Sequence, residues 1–443
     1  MCLGHMEGSF SGYRGVGRLI VGDMYGMGED MLQSVFGVLV LTAMAWGISE
    51  QRRVAQGRNI LMGLGLQAAL AFLLLKWAVF RDVFITLNGV VLALEEATQA
   101  GTGFVFGYLG GGPLPFESGV PGADFILAFR ALPILLVMSA LSSLLFYWGI
   151  LPRIVQGFSW LLTRSMGVGG ALGVGAAANV FVGMVEAPLL IRPYLVQLTR
   201  SELFAVMTCG MATVAGTVLV LYAGFVGTIL PGALGHILTA SLISVPAALM
   251  VARLMVPETE AVTSGALVPE QTVSSSMDAV NQGTQAGLTL FLNVTAMLLV
   301  LIALVHLINQ GMGLLPGLGG EPLTLQRILG WLMAPLVWLM GIPWSEAPAA
   351  GSLMGVKTVL NELLAYIRLA NLPEGTLSPR SQLIMTYALC GFANFGSLGI
   401  MLGGLNAMVP ERREEIVGLG LKSIVSGTLT TLMTGAMVGI MVS

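Results

Sequence analysis

The sequence has 443 residues, of which 56% are hydrophobic and 10% are charged, and its mean hydropathy is +0.87. A soluble domain carries about 25% charged residues, so this composition excludes a soluble globular protein and predicts a polytopic membrane protein. The formal net charge is −3 and no basic run occurs, so nothing predicts a nucleic-acid partner.

The N-terminal part predicts two spans and one helix in the membrane interface. Residues 1–30 lack the apolar core of a signal peptide, and we interpret them as a disordered leader. Apolar runs at 31–48 and 59–80 follow, each close to the roughly 20 residues that a span needs. Segment 82–124 is acidic and has no Lys or Arg, whereas three arginines separate the two runs. The positive-inside rule therefore places the arginine loop in the cytoplasm and 82–124 outside, with an interfacial helix at 84–100.

The remainder of the chain predicts six more spans, and hence an all-α polytopic protein with about eight transmembrane helices. A polar linker at 257–281 is cytoplasmic on this count of crossings. Several later basic residues, Lys357 among them, then fall on the outer side, against the charge rule. The six further spans are predicted at 125–150, 203–226, 237–256, 283–309, 381–403 and 416–442.

The stretch 173–194 breaks the apolar pattern with a carboxylate, a carboxamide, two prolines and several glycines. The apolar runs on either side of Asn179 and Glu186 are only about ten residues long, so neither can cross alone. Broken backbone at membrane depth is tolerated only inside protein or along a cavity. We interpret the stretch as a re-entrant hairpin with both polar residues at its tip, the alternative being a surface loop with a solvated Glu.

Matched spacings predict an internal duplication, with a second re-entrant hairpin around Glu362. Three crossings separate corresponding points, so the second copy is inverted relative to the first. The copies occupy 125–256 and 282–443, and the N-terminal spans and interfacial helix form a separate part at 31–124. The matched features are Arg153 to Gly167 and Arg327 to Gly341 (14 residues each), Glu186 to Arg192 and Glu362 to Arg368 (6 each), and Cys209-Gly-Met-Ala-Thr213 and Cys390-Gly-Phe-Ala-Asn394.

Two carboxylates are the first candidates for substrate contacts. An ionised carboxylate inside a membrane costs at least about 2.5 kcal/mol, so it indicates function by default. We expect Glu186 and Glu362 to accept hydrogen bonds from hydroxyl or ring N–H groups of a polar substrate. The alternative is structural pairing with Arg192 or Arg368 at the base of each hairpin.

Polar residues in two later spans are further candidates. Asn394 and Ser397 share one face of a helix because they are three residues apart. The matching span of the first repeat holds Thr213 and Thr217. Ser, Thr and Gly also serve ordinary helix packing in membranes, which leaves a packing role open for all but Asn394.

These residues resemble the concentrative nucleoside transporters over essentially the whole chain from residue 31 onward. The segments that carry the resemblance are Ala176-Ala-Ala-Asn-Val-Phe-Val-Gly183, Glu186-Ala-Pro-Leu-Leu-Ile-Arg-Pro-Tyr194, Asn361-Glu362, Ser378-Pro-Arg380, Cys390-Gly-Phe-Ala-Asn-Phe395 and Gly101-Thr-Gly-Phe-Val-Phe-Gly107.

The resemblance implies a homotrimer in the plasma membrane, each protomer holding two hairpins and a transport domain that moves past a scaffold. It also implies two ligand sets. The nucleoside would contact Gly183, Met184, Val185, Glu186, Thr217, Val218, Asn361, Glu362, Phe392, Asn394 and Ser397. Sodium would bind at Asn179, Val182, Thr213 and Val214 through carbonyl, carboxamide and hydroxyl oxygens, which suit a hard cation. Sodium is therefore the expected coupling ion, with proton coupling as the alternative.

One departure from the family pattern concerns the tip of the first hairpin. Many members have Gln-Thr or Gln-Ser before the Glu, whereas this chain has Met184 and Val185. The thioether offers an apolar, adaptable wall beside a larger bicyclic base. We expect a purine-leaning nucleoside transporter, the alternative being a different small polar substrate.

Other classes fit less well. An intramembrane hydrolase needs a nucleophile with a base in reach, and neither His236 nor His306 lies in a motif-bearing segment. No His-Glu-x-x-His metal motif or phosphate-binding Gly-Lys-Ser/Thr sequence occurs. We therefore predict that the protein is not an enzyme and uses no cofactor beyond the coupling ion.

Overall fold

The computed structural model describes residues 12–54, 57–116, 125–265, 273–317 and 322–442. All regular secondary structure in these ranges is helical, as predicted. Parts of the predicted leader (1–11), outer segment (117–124) and linker (266–272) lie outside the described residues. The helices of the N-terminal part and first repeat are α1 (Gly12–Gly47), α2 (Gly57–Lys76), α3 (Ala78–Phe106), α4 (Leu127–Arg130), α5 (Ile134–Tyr147), α6 (Ile150–Met166), α7 (Gly170–Asn179), α8 (Glu186–Leu189), α9 (Arg200–Ala212), α10 (Gly216–Val226) and α11 (Ala233–Met255). Those of the second repeat are α12 (Ser276–Met312), α13 (Leu325–Trp338), α14 (Ala347–Val359), α15 (Glu362–Ala370), α16 (Pro379–Leu389), α17 (Phe395–Met408) and α18 (Arg413–Met441).

The N-terminal helices are longer than the sequence suggested. Residues 12–30, which we expected to be disordered, form the beginning of α1, which runs without a break to Gly47. The predicted interfacial helix at 84–100 lies within the 29-residue α3. Apolarity marks the part of a helix that enters the membrane, but it does not mark where the helix begins.

Seven described segments are long and apolar enough to cross a membrane, against about eight predicted spans. The predicted span at 381–403 is missing from this set because its helix is interrupted at residues 390–394, between α16 and α17. The predicted span at 203–226 is interrupted in the same way at 213–215, between α9 and α10. The first interruption begins at Thr213, where the Cys209 segment ends, and the second spans the whole Cys390–Asn394 segment.

The two interruptions contact each other in the interior. The backbone N–H of Phe392 donates to the carbonyl oxygen of Thr213 at 3.3 Å. A Cβ atom on Gly391 would lie 3.0 Å from the carbonyl oxygens of Met211 and Ala212. Glycine at 391 therefore permits the close approach of the two broken spans.

Both predicted hairpins are built from helices too short to cross a membrane. The first arm of hairpin 1, α7, has 10 residues, and that of hairpin 2, α14, has 13. At 1.5 Å per residue these helices span about 15 and 20 Å, against a hydrocarbon thickness of about 30 Å. Side chains of α7 are buried almost throughout, as re-entrant backbone requires.

The hairpins surround a core formed by α9, α10, α11 and α18, whose side chains are mostly buried. In contrast, α12 is largely exposed and packs along α5. A Cβ on Gly283 would lie 2.6 Å from the Ser139 carbonyl oxygen, so glycine allows this tight packing. The pair of α5 and α12 thus forms a wall beside the hairpin core.

Candidate substrate and cation site

The tip of hairpin 1 presents the Glu186 carboxylate to a cavity. Gly183 has a φ of +114°, and a Cβ at that position would lie 2.7 Å from Oε2 of Glu186. Only glycine adopts this conformation readily and leaves room for the carboxylate. The tip geometry therefore depends on Gly183.

The cavity at this tip, here named the inner cavity, has a volume of about 410 Å³ and lies between hairpin 1, α5, α10 and α12. Glu186, Val182 and Thr217 line one side, and α5 contributes three serines and Phe146 on the other. Val273 and Gln282 also line it, so the cavity lies towards the end of the molecule that carries the linker. Its volume suits a small organic ligand.

The carboxylate of hairpin 2 is held by hydrogen bonds in the interior. Glu362 is 5% exposed; its Oε1 accepts from the Tyr222 hydroxyl at 2.6 Å and its Oε2 from Nδ2 of Asn394 at 2.9 Å. Asn394 also begins α17, where its Oδ1 accepts from the backbone N–H of Ser397 at 2.7 Å. Asn361 begins α15 in the same manner through Leu364. Asn394, in the interruption of the seventh span, therefore both caps α17 and orients Glu362.

Helix α10 connects the two carboxylate regions within one protomer. Thr217 lines the inner cavity with Glu186, and Tyr222 binds Glu362. These two α10 residues are five apart, which corresponds to about 7.5 Å along the helix. Glu186 thus shares a cavity with one residue of α10, and Glu362 bonds another residue of the same helix.

Two of the predicted cation ligands, Asn179 and Thr213, are buried and contact each other where α7 and α9 end. Nδ2 of Asn179 donates to Oγ1 of Thr213 at 2.9 Å, and that hydroxyl donates to the Cys209 carbonyl at 3.0 Å. Oδ1 of Asn179 is buried and has no hydrogen-bond partner. A buried oxygen without a donor is unusual, and a hard cation would satisfy it. The residues present therefore fit a sodium ion.

Val182 and Val214, the other two predicted cation ligands, have apolar side chains, so only their backbone carbonyl oxygens could bind a cation. Val182 follows Asn179 at the hairpin tip, and the carbonyl of Val214 accepts a long hydrogen bond of 3.3 Å from Ser241. A carbonyl oxygen has two lone pairs, so this bond leaves one available. Among the described residues no group of three or more His, Cys, Asp or Glu is arranged for a metal, so neutral oxygens are the ligands that this region offers.

Several predicted substrate residues lie away from the inner cavity. Met184 is 8% exposed and packs against Gly210, and Val185 packs against Gly404 of α17. Val218 is buried on α10, and Phe392 is half-buried at the interruption of the seventh span. These four residues are not among those that line the inner cavity beside Glu186.

Sequence reasoning missed two buried polar residues of the region around hairpin 2, Lys357 and Tyr222. Lys357 is completely buried in α14, and its Nζ donates to the Ala388 carbonyl at 2.8 Å and to Oγ1 of Thr431 at 3.0 Å. It does not lie on the outer surface, where we had counted it against the charge rule. A lysine inside a short apolar helix, five residues before Glu362, was the available signal. Tyr222, the other missed residue, carried no such signal in its apolar helix.

The alternative of structural pairing at the hairpin bases receives no support from the contacts of Glu362. Its carboxylate bonds Tyr222 and Asn394, and the described ion pairs do not include Arg192 or Arg368.

Comparison with family models gives three matches along the chain. Residues 36–109 and 236–439 match the N-terminal and C-terminal models described as Na⁺-dependent nucleoside transporter. Residues 128–229, which contain hairpin 1, match a model described as nucleoside recognition. Together the matches include both hairpins and most of the described helices.

Curated relatives cover nearly the whole sequence. A nucleoside permease of Helicobacter pylori is 37% identical over 417 residues, covering 93% of this chain and 98% of the permease. An uncharacterized transporter of Bacillus subtilis is 36% identical over 93% of this chain and 100% of its own. Human solute carrier family 28 member 3 is 33% identical over 94% of this chain and 61% of its own.

Solved structures show the same fold. The transporter CNTnw, in an inward-facing substrate-bound state, superposes with a TM-score of 0.84 at 38% identity, covering 93% of this chain and 99% of that one. A substituted form of CNTnw in an outward-facing state gives 0.86 at 37% identity, covering 94% and 98%.

Proposed function

This chain belongs to the Na⁺-dependent, or concentrative, nucleoside transporter family, and we propose that it carries nucleosides into the cell together with sodium ions. The family consists of multi-pass transporters of the plasma membrane and not of enzymes. The observation that supports the proposal most strongly is the placement of two carboxylates, Glu186 and Glu362, against one helix, α10.

The nucleoside would be held between the two hairpins. Glu186, facing the inner cavity, would accept a hydrogen bond from a ring N–H or amino group of the base. Glu362 and Asn394 would bind the ribose hydroxyls, because a carboxylate and a carboxamide both accept from hydroxyl groups. Tyr222 fixes Glu362 for this contact, so little ordering is needed when the sugar binds.

Sodium would act by fixing the tip of hairpin 1. Its proposed ligands come from the end of α7 (Asn179), the tip (Val182) and the end of α9 (Thr213, Val214). A cation there joins two helix ends whose terminal carbonyls carry partial negative charge. Glu186 follows Val182 by four residues, so binding of the ion and of the nucleoside would favour the same tip conformation, which is thermodynamic coupling.

Transport would proceed by alternating access, with the hairpin core moving past the wall of α5 and α12. The inner cavity between them supports this assignment because it connects Glu186 with the linker end. We also propose a homotrimer, in which the exposed apolar side of α12 contacts lipid or partner protomers.

The proposed preference for purines depends on two apolar residues at the tip of hairpin 1. Met184 and Val185 cannot donate towards a pyrimidine edge as Gln and Thr do, but both pack against neighbouring helices. The preference would then arise because no polar side chain at the tip binds a pyrimidine, and not because Met184 packs against the base. If uridine competes for uptake as strongly as adenosine or inosine, the preference is wrong.

The decisive experiment is uptake of labelled adenosine into proteoliposomes under an imposed gradient. An inward sodium gradient should drive accumulation, and an equal potassium or choline gradient should not. Accumulation driven by a proton gradient without sodium would instead favour the proton-coupled alternative. Failure to transport any of adenosine, inosine or uridine would favour a different polar substrate.

A further inference from the structure

A second cavity, here named the outer cavity, lies between α3, α4, α5 and α10 and has a volume of about 420 Å³. It is separate from the inner cavity and includes none of the residues assigned above to nucleoside or sodium. Its lining residues of interest are Glu95, Gln99, Phe125, Arg130, Gly224 and Phe225.

The two cavities lie towards opposite ends of the same two helices. On α5, Ile134 lines the outer cavity and Phe146 the inner one, a separation of 12 residues or about 18 Å. On α10, Phe225 lines the outer cavity and Thr217 the inner one, about 12 Å apart. The outer cavity is thus at the end of the molecule remote from the linker.

The polar side chains of the outer cavity lie close to two glycines, Gly224 and Gly111. A Cβ on Gly224 would lie 2.6 Å from Oε1 of Glu95, so the half-buried carboxylate reaches the backbone of α10. A Cβ on Gly111 would lie 3.1 Å from Nε2 of Gln99 and 3.2 Å from Nε of Arg130. A carboxylate, a carboxamide and a guanidinium therefore meet at one cavity.

Aromatic rings complete the lining. The rings of Phe125 and Phe225 meet edge to face with centroids 6.5 Å apart, and the Arg130 guanidinium lies 5.9 Å from the Phe125 centroid. Aromatic faces suit a planar base, and the carboxylate and carboxamide suit hydroxyl groups. The combination matches the two halves of a nucleoside.

Buried side chains separate the two cavities. Leu135 on α5 and Val218 on α10 are buried there. Along α10, Thr217 lines the inner cavity and Leu221, Gly224 and Phe225 line the outer one, and Tyr222, which bonds Glu362, follows Leu221 directly. A ligand in the outer cavity is therefore adjacent, along one helix, to the carboxylate proposed to hold ribose.

We propose that the outer cavity is an entry site, where a nucleoside first binds through Glu95 and Gln99 before it reaches Glu362 and Glu186. The proposal rests on the proposed function. Binding at the outer cavity increases the local concentration of substrate next to α10, and it selects for ligands with both a planar ring and hydroxyl groups.

Initial rates measured separately from the two sides test the proposal. Uptake of labelled adenosine into intact cells reports the affinity from the outer side, and uptake into everted membrane vesicles reports it from the linker side. Gln99→Ala and Glu95→Gln should each raise KM about tenfold from the outer side. From the linker side, KM should stay within about twofold of wild type, and that unchanged value also shows that the variant is folded.

The matched control is Glu96→Gln, because Glu96 is adjacent, exposed and not part of the cavity lining. It should leave both KM values unchanged. Equal changes from the two sides, or no change from either, would overturn the entry site while leaving the proposed function intact. Absence of nucleoside uptake by the wild-type protein would instead contradict the proposed function.

Discussion

The hydroxyl of Tyr222 donates to Oε1 of Glu362 at 2.6 Å, which joins α10 of the first repeat to hairpin 2 of the second. The two copies of the duplication thus meet through a hydrogen bond to a buried charge. Asn394 supplies the second donor to the same carboxylate from the interruption of the seventh span. The carboxylate of α15 is therefore oriented by one residue of α10 and one residue at the start of α17.

Removal of the Tyr222 hydroxyl should weaken nucleoside binding without unfolding the protein. A hydrogen bond to a charged group contributes about 1.5–3 kcal/mol, so Tyr222→Phe should raise the Kd for adenosine about tenfold or more. The ring, which packs against Tyr366 with centroids 5.2 Å apart, is retained. Equilibrium binding to purified protein measures the effect, and an unchanged Kd would show that Tyr222 does not position Glu362.

Substitution of Thr213 should affect sodium more than nucleoside. Thr213→Ala removes the hydroxyl that contacts Asn179, so we expect the sodium concentration for half-maximal uptake to rise about tenfold. Thr213→Ser should behave like wild type because it keeps the hydroxyl. Thr208→Ala is the matched control, since Thr208 is equally buried in α9 but bonds Ser426. Equal effects of Thr208→Ala and Thr213→Ala on sodium activation would remove Thr213 from the cation site.

Lys357 should be required for both folding stability and substrate affinity. Lys357→Met leaves the Ala388 carbonyl and the Thr431 hydroxyl without their donor, which costs about 1–3 kcal/mol. It also removes a buried positive charge near Glu362. We expect a lower Tm in detergent and a Kd for adenosine raised about tenfold, measured at a temperature where the variant is folded. Lys422→Met, at a lysine whose side chain is 43% exposed, should leave the Kd unchanged, and the proposed role fails if the Lys357 variant binds normally.

Gly183→Ala should abolish uptake. The residue's φ of +114° costs an alanine about 1–3 kcal/mol, and the added Cβ meets the Glu186 carboxylate. Gly403→Ala in α17 is the control, because nothing lies within 4 Å of the Cβ it would add. Uptake assays with surface expression as the reference distinguish loss of function from loss of protein. Normal uptake by the Gly183 variant would mean that the tip does not hold Glu186 as described.

Acid should weaken an ion-pair cluster at the linker end. Hydrogen bonds from Arg200, together with Lys422, lower the pKa of Glu50 from 4.5 to about 2. Because the folded-state pKa is the lower one, the carboxylate contributes stability above about pH 4.5, and that contribution is lost as the pH falls towards about 2. The partners are partly exposed, so Glu50→Gln should cost only about 0.5–1 kcal/mol at neutral pH. Melting curves at several pH values should show this difference shrinking in acid, and a difference that grows would contradict the assignment.

The sequence was sufficient to predict the hairpins, because glycines, prolines and a carboxylate rarely occur together in a helix that crosses the hydrocarbon layer. The duplication was equally visible, since the Cys209 and Cys390 segments keep the same order of residues. Helix ends were predicted less well: α1 begins at Gly12, and the sixth predicted span at 283 begins at Ser276 instead. Apolar residues mark the part of a helix that lies in the lipid layer, whereas the helix itself extends beyond that part, as at the beginnings of α1 and α12.

The sequence predicted candidate residues for the site but not the contacts between them. Glu186, Glu362 and Asn394 were recognisable as polar groups in apolar surroundings. Tyr222 carried no such signal, and the contacts of Lys357 could not be predicted, because which helices pack together depends on three-dimensional contacts that spacing along the chain does not show. The same reason explains why Met184, adjacent to Gly183 in sequence, packs against Gly210 and not beside Glu186.

The central claim is that Glu186 and Glu362 hold one nucleoside together with sodium, and equilibrium binding to the purified protein tests it most directly. Labelled adenosine should bind with one site per protomer in sodium, and more weakly in choline. Glu186→Gln and Glu362→Gln should each reduce affinity about 100-fold or more, whereas Glu414→Gln, at an exposed position, should bind like wild type. Wild-type affinity in either hairpin variant would contradict the claim.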